Sequence, residues 1–162
     1  SETSCEIRKI PTVAATQAEL QEQFDFLIAI RDRLSECHEA INRIRVLRRQ
    51  VDGWLGRGDA ALTENGQAVL AKLVEIEEAL INREGIERYM FYETKLSGKL
   101  AGMPILVANA DFKPTDQARE VFADLEQRLG AQLARLEQVV STDIGQFNQL
   151  VQASGLLPVA AD

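Results

Sequence analysis

Apolar residues recur every three or four positions in four stretches of the chain, which is the pattern of an amphipathic α-helix. The first and last stretches are the longest and predict helices of about 38 and about 37 residues. The first carries Leu20, Phe24, Leu27, Ile30, Leu34, Cys37, Ile41, Ile44, Leu47, Val51 and Trp54. The last carries Ala118, Phe122, Leu125, Leu129, Leu133, Leu136, Val140, Ile144, Phe147 and Val151.

Capping signals mark the limits of these two helices. Thr16 and Glu19 form a capping box, in which each side chain satisfies a backbone N–H of the other residue. Thr115 is a good N-cap for the last helix. Glycines from Gly53 onward end the first helix, and Gly155 ends the last one. The signals predict long helices over about 16–54 and 115–152.

Two shorter helices are predicted between the long ones, over about 64–83 and 87–110. Pro104 lies inside the second of these. Because proline lacks the N–H that the helix needs, we expect a kink at this position.

This order of long, short, short and long elements with brief connections predicts an all-α fold. We expect an antiparallel, up-down-up-down four-helix bundle over residues 16–155. Residues 1–15 are interpreted as a leader or linker, and 156–162 as a tail. No internal repeat of fixed period is present, which argues against a solenoid.

Composition narrows the range of partners. The formal net charge of −7 disfavours non-specific binding to nucleic acid and to anionic membranes. No stretch approaches eighteen uncharged apolar residues, so no membrane insertion is predicted. The sequence begins without a secretory signal and without an initiator Met, which suggests a chain that is processed or excised from a longer one.

The residues that usually carry chemistry are scarce. His38 is the single histidine, so the paired Glu-x-x-His motifs of di-metal bundles are missing. Cys37 and His38 are adjacent on a helix and diverge by about 100°, so they do not form a nucleophile pair. Cys5 and Cys37 either form a disulfide or leave Cys37 buried and free, and the second reading is favoured. We expect no catalytic residue, no metal site and no cofactor.

Two residue clusters are candidates for an interaction surface. Arginines on one face of the first helix would either bind phosphates or pair with acids on a neighbouring helix, and the absence of interleaved aromatics favours pairing. An aromatic group at the start of the third helix would either form a docking surface or pack at the end of the bundle, and packing is favoured. The candidate residues are Arg45, Arg48 and Arg49, and Tyr89, Phe91 and Tyr92.

Several short segments, taken in order, resemble a known family. They are TQAEL (16–20), QFDFL (23–27), IRDRLSE (30–36), HEAIN (38–42), LRRQV (47–51), KL (95–96), ANAD (108–111), PT (114–115), QLARL (132–136) and FN (147–148). Together they resemble the C-terminal helical domain of bacterial BNR-repeat, sortilin-like β-propeller proteins, which are often labelled glycosyl hydrolases. The link at 10–12 reads IPT where such proteins commonly carry Asp-Pro-Arg.

The resemblance implies that the segment follows a propeller, with residues 7–15 as the incoming link, and that its home is extracytoplasmic. It implies a non-catalytic structural or protein-interaction module that packs against the propeller or against a second copy. Any hydrolase activity would belong to the propeller. One alternative is a bundle that binds a small apolar ligand near Trp54 or the 89–92 aromatics.

Overall fold

The computed structural model describes residues 10–57, 60–82 and 93–155, and these contain helices but no strand. The predicted all-α fold of four helices, two long and two shorter, is confirmed. The elements are α1 (Gln17–Asp52), α2 (Ala60–Leu80), α3 (Leu96–Val107), α4 (Asp116–Gln138), a π-helical segment (Val139–Ile144) and α5 (Gly145–Ala153). The last three are continuous and form one helical rod.

The predicted caps are present at the start of both long helices. The backbone N–H of Thr16 donates to Glu19 Oε2 at 2.7 Å, and the N–H of Glu19 donates to Thr16 Oγ1 at 3.2 Å. Thr115 Oγ1 accepts from the N–H of Ala118 at 3.2 Å. Each cap satisfies N–H groups that the first turn leaves without an intrahelical partner.

Ion pairs show that α1 and the last rod run in the same direction. As the residue number rises along α1, the number of its partner rises along α4. The pairs are Glu22 with Arg119, Arg33 with Glu126 and Arg43 with Glu137.

The second helix runs the opposite way to this rod. Here the later residue of α2 meets the earlier residue of the rod, because Lys72 pairs with Asp143 and Glu75 with Arg135, both at 2.8 Å.

The third helix continues in the direction of α2. Its start lies beside the end of α2, since the Asn82 side chain donates to the carbonyl of Glu93 at 3.2 Å. Its other end lies beside the start of α1, where Gln23 Nε2 donates to the carbonyls of Val107 and Ala110, each at 2.7 Å.

The bundle therefore alternates up, down and up in three rods, and α2 and α3 share the down-running one. This differs from the predicted up-down-up-down order of four separate legs. The lengths give the reason. The 36 residues of α1 span about 54 Å, whereas the 21 and 12 residues of α2 and α3 span about 32 and 18 Å. The two shorter helices match the length of a long helix only when they are placed end to end.

One predicted core position in α1 is wrong. Phe24 is 57% exposed, and Phe26 is buried in its place. The Phe26 ring packs edge-on against Phe122, with centroids 5.2 Å apart and an interplanar angle of 82°. Side chains two residues apart are separated by about 200° around the helix axis, so they lie on nearly opposite faces. Only one of these two phenylalanines can therefore reach the core.

The π-helical segment keeps the last rod in register with the core. Buried positions in α4 follow one another at helical spacing, but Val139 and Ile144 are five residues apart and are both buried. A π-turn accommodates the extra residue, so Phe147 and Val151 in α5 return to the core side.

The third helix is shorter than the predicted 87–110. It begins at Leu96 because residues 93–95 are not helical, and 83–92 lie outside the described residues. The helix continues through Pro104 and ends three residues later, at Val107.

Candidate interaction surfaces

Two of the three candidate arginines hold a buried carboxylate. Glu77 of α2 is 2% exposed. Its Oε1 accepts from Arg45 Nε at 2.9 Å, and its Oε2 accepts from Nη1 of Arg48. Two guanidinium groups thus neutralise one desolvated charge, which is the condition under which a buried carboxylate is tolerated. The favoured reading of these arginines, pairing with an acid on a neighbouring helix, holds for Arg45 and Arg48.

A groove of about 580 Å³ lies beside this ion pair, between α1 and α2. Its lining consists of Arg45, Arg48, Arg49, Asp52, Leu70, Ala71 and Val74. The groove is open to solvent and carries four charged side chains, so its walls do not favour a small apolar ligand. Arg45 and Arg48 of this lining pair with Glu77, and Arg45 and Arg49 are both exposed to solvent.

The candidate residues Tyr89, Phe91 and Tyr92 lie outside the described residues, and their role stays a prediction. Trp54 is half-buried at the end of α1. The guanidinium carbon of Arg57 lies 5.5 Å from the centroid of the Trp54 ring, which is cation–π geometry.

The exposed large hydrophobic side chains of the described residues lie at one end of the bundle. We call residues 10–25 and 105–124 the open end, because there α1 and α4 begin and α3 ends. The exposed side chains are Ile10, Phe24, Ile105, Leu106, Phe112 and Val121. The most exposed of them is Ile105, at 76%.

A set of polar and aromatic contacts holds the open end together. Gln23 ties α1 to the last turn of α3 through the two carbonyls described above. Arg119 pairs with Glu22, and its guanidinium carbon lies 5.3 Å from the Phe26 ring centroid. The exposed hydrophobic residues therefore lie on a part of the bundle where α1 contacts both α3 and α4.

The spacing of apolar residues does not identify the open end as a surface, although the sequence carries one signal for it. Leu100 to Ala108 form a run of nine residues without a charged or polar side chain. In α3 the buried members include Met103 and Val107, while Ile105 and Leu106 point outward. A helix that is apolar on more than one face needs more cover than one neighbouring core provides.

Groups with chemical reactivity do not converge in the described part of the chain. Cys37 is free and fully buried, and burial raises the pKa of its thiol to about 11 from an ordinary value of 9.0. It is therefore a neutral core residue at physiological pH. Cys5 lies outside the described residues, and His38 is exposed on α1.

Residues 10–57, 60–82 and 93–155 contain neither a metal-binding cluster nor a membrane-spanning helix. Within these ranges no group of three or more His, Cys, Asp or Glu side chains is arranged to hold a metal ion. None of the helices described there is long and apolar enough to cross a bilayer.

Comparison with known proteins finds no matching family model, curated protein or solved structure. The relationship to sortilin-like propeller proteins stays a prediction that depends on the short segments named above.

Proposed function

We propose that this chain is a non-catalytic protein-interaction module that uses the open end as its binding surface. The observation that supports the proposal is the gathering of six exposed large hydrophobic side chains at one end of the bundle. Soluble monomers expose such residues singly, and a gathering of them is typical of a binding surface.

The sizes of these side chains suit them to anchor a partner. Fully burying a side chain such as Leu, Ile or Phe contributes roughly 1.5–3 kcal/mol. A few central apolar anchors supply most of the binding energy at many protein interfaces. Covering Ile105 and Leu106, which are consecutive exposed residues of α3, would therefore contribute to the stability of a specific complex.

In this proposal the acidic residues serve structure rather than catalysis. Glu19 caps α1, Glu77 is neutralised by two arginines, and Glu126 accepts from Arg33 across the α1–α4 contact. General acid–base chemistry needs carboxylates in contrasting environments within one cleft, and these three lie on different parts of the bundle.

Photo-crosslinking tests the proposed surface in the source cells. A photoreactive phenylalanine analogue replaces Phe24 in one variant and Gln67, an exposed residue near the start of α2, in the control. We expect one discrete adduct from position 24 and none from position 67. The same adducts from both positions, or none from position 24, would contradict the proposal.

We also propose, from the sequence resemblance, that the module is the C-terminal part of a larger BNR-type propeller protein, with that propeller or a second copy as partner. The mass of the native polypeptide that carries this segment tests the idea. A mass far above 18.0 kDa is expected, whereas a mass near 18 kDa would contradict it.

A further inference from the structure

The groove between α1 and α2 has a charged wall and an apolar wall. The charged wall consists of Arg45, Arg48, Arg49 and Asp52 of α1, and the apolar wall of Leu70, Ala71 and Val74 of α2. Residues three and four apart share one face of a helix, which is why each set faces the same space. A volume of about 580 Å³ is sufficient for a small organic molecule.

The arginines of this groove carry more hydrogen-bond donors than the protein uses. Arg45 donates to Glu77 only through Nε, and Arg48 donates to it only through Nη1. Arg48 Nε is buried and has no hydrogen-bond partner. Over residues 10–57, 60–82 and 93–155, the side chain of exposed Arg49 has neither an ion pair nor a hydrogen bond. The groove therefore offers unengaged N–H donors to an oxyanion.

The charge at the groove is positive, although the chain as a whole is negative. Three guanidinium groups face two carboxylates, those of buried Glu77 and of Asp52, so one positive charge is in excess. Within the described part of the chain, Asp52 lies beyond ion-pair distance of the arginines. The formal net charge of the chain is −7. A local excess of the opposite sign attracts an anion to this groove.

From this arrangement we infer that the groove binds a small amphipathic organic anion, with a phosphate or carboxylate head group and a short aliphatic body. The head group would accept from Arg49 and from the unused Nη groups of Arg45, whose side chain is 46% exposed. The aliphatic body would lie against Leu70 and Val74, which are half-buried. The groove is separate from the open end, so the inference adds a ligand to the proposed interaction module.

Each wall of the groove excludes a simpler ligand. A purely apolar molecule would cover the guanidinium groups without replacing their hydration, which costs free energy. An inorganic anion would leave the apolar wall exposed to water. A nucleic acid needs several cations along its backbone, whereas one excess charge lies here on an acidic chain.

Isothermal titration calorimetry of the full chain with matched probes tests the inference. Octyl phosphate and octanoate carry both halves of the ligand. Inorganic phosphate lacks the aliphatic body, and 1-octanol lacks the charge. Because the two amphipathic probes have the same aliphatic length, the comparison between them identifies the preferred head group.

Two variants and two matched controls assign the binding to the groove. Arg49→Gln removes the unpaired cation from the α1 wall, and Ala71→Asp places a negative charge on the α2 wall. The controls are Arg31→Gln, near the other end of α1, and Ala131→Asp, on α4. All four residues are exposed, so each variant should fold, and circular dichroism checks this.

We expect octyl phosphate to bind at least about tenfold more tightly than inorganic phosphate or 1-octanol. Arg49→Gln and Ala71→Asp should each weaken octyl phosphate by at least about fivefold, because the head group loses a cation or meets a like charge. Each control should change the affinity by less than about twofold.

Four results would overturn the inference. They are an absence of binding by both amphipathic probes up to about 5 mM, equal binding of 1-octanol and octyl phosphate, equal binding of inorganic phosphate and octyl phosphate, and losses in the controls as large as in the groove variants. None of these results alters the crosslinks expected from position 24, so the proposed function is tested independently.

Discussion

The two ends of this bundle are built from the same amphipathic helices but present opposite surfaces. At the closed end, formed by residues 47–57, 60–70 and 144–155, Val51, Leu62 and Phe147 are fully buried. At the open end, Phe24, Ile105 and Leu106 remain more than half exposed. The difference shows that a bundle with a continuous core still leaves apolar surface wherever a helix carries more hydrophobic residues than its seam can bury.

The middle of the bundle and the open end use carboxylates differently. On the α1–α2 side, Glu77 is almost completely buried and both of its oxygens are paired with arginine. At the open end, Asp111 and Glu120 are exposed. The first arrangement stabilises helix packing, while the second leaves charge available to a partner.

The largest effect is expected from removing matched aromatic side chains at the two ends. Phe147→Ala should cost about 3–5 kcal/mol because it empties a fully buried site, whereas Phe24→Ala should cost less than about 0.5 kcal/mol. Urea denaturation followed by circular dichroism measures both. Similar losses for the two variants would mean that the open end is as well covered as the closed end.

Removing the buried carboxylate should have the next largest effect. Glu77→Gln should cost about 1–3 kcal/mol, because Arg45 and Arg48 lose a charged partner while remaining partly exposed themselves. Glu64→Gln, a change on the exposed side of the same helix, should cost less than about 0.5 kcal/mol. A loss below about 1 kcal/mol for Glu77→Gln would show that the ion pair is not desolvated.

Replacing two helical glycines with alanine should change the stability by smaller amounts and in opposite directions. A Cβ on Gly66 would lie 2.7 Å from Leu55 Cδ2 and 3.0 Å from Phe147 Cε2, whereas a Cβ on Gly130 would meet nothing within 4 Å. Gly66→Ala should therefore destabilise the chain by about 1–2 kcal/mol through overpacking. Gly130→Ala should stabilise it by about 0.5–1 kcal/mol through helix propensity. Stabilisation by Gly66→Ala would show that the closed end is loosely packed.

The smallest effect concerns the parallel contact of α1 with α4. A double-mutant cycle with Arg33→Met and Glu126→Gln should give a coupling energy of about 0.2–1 kcal/mol, since both side chains are partly exposed. The coupling should weaken as salt is raised. Coupling below about 0.1 kcal/mol at low salt would count against this pairing of the two rods.

Local signals in the sequence are sufficient for the long helices. Thr16 with Glu19 and Thr115 predict the starts of α1 and α4 because capping depends on residues within one turn. The pattern of buried residues in the last helix is likewise close to the one observed, with Val139 and a π-turn as the main addition.

The arrangement of the helices and the open end depended on information that periodicity does not contain. The spacing of apolar residues is compatible with burial of either Phe24 or Phe26. Phe26 is the buried one because it packs against Phe122 of α4. It also gives no direction to α3, which is fixed by the contacts of Gln23 and Asn82. The pairing of Arg45 and Arg48 with an acid could be anticipated, but the burial of that acid could not.

Hydroxyl-radical footprinting with mass spectrometry tests the central claim, that the open end is the interaction surface. The measurement compares the isolated chain with the complex purified from its source cells. The account predicts rapid oxidation of Phe24 and Phe112 in the isolated chain, slow oxidation of Phe26 and Phe147, and protection of Phe24 and Phe112 in the complex. Protection confined to the closed end around Trp54, or none at Phe24 and Phe112, would contradict it.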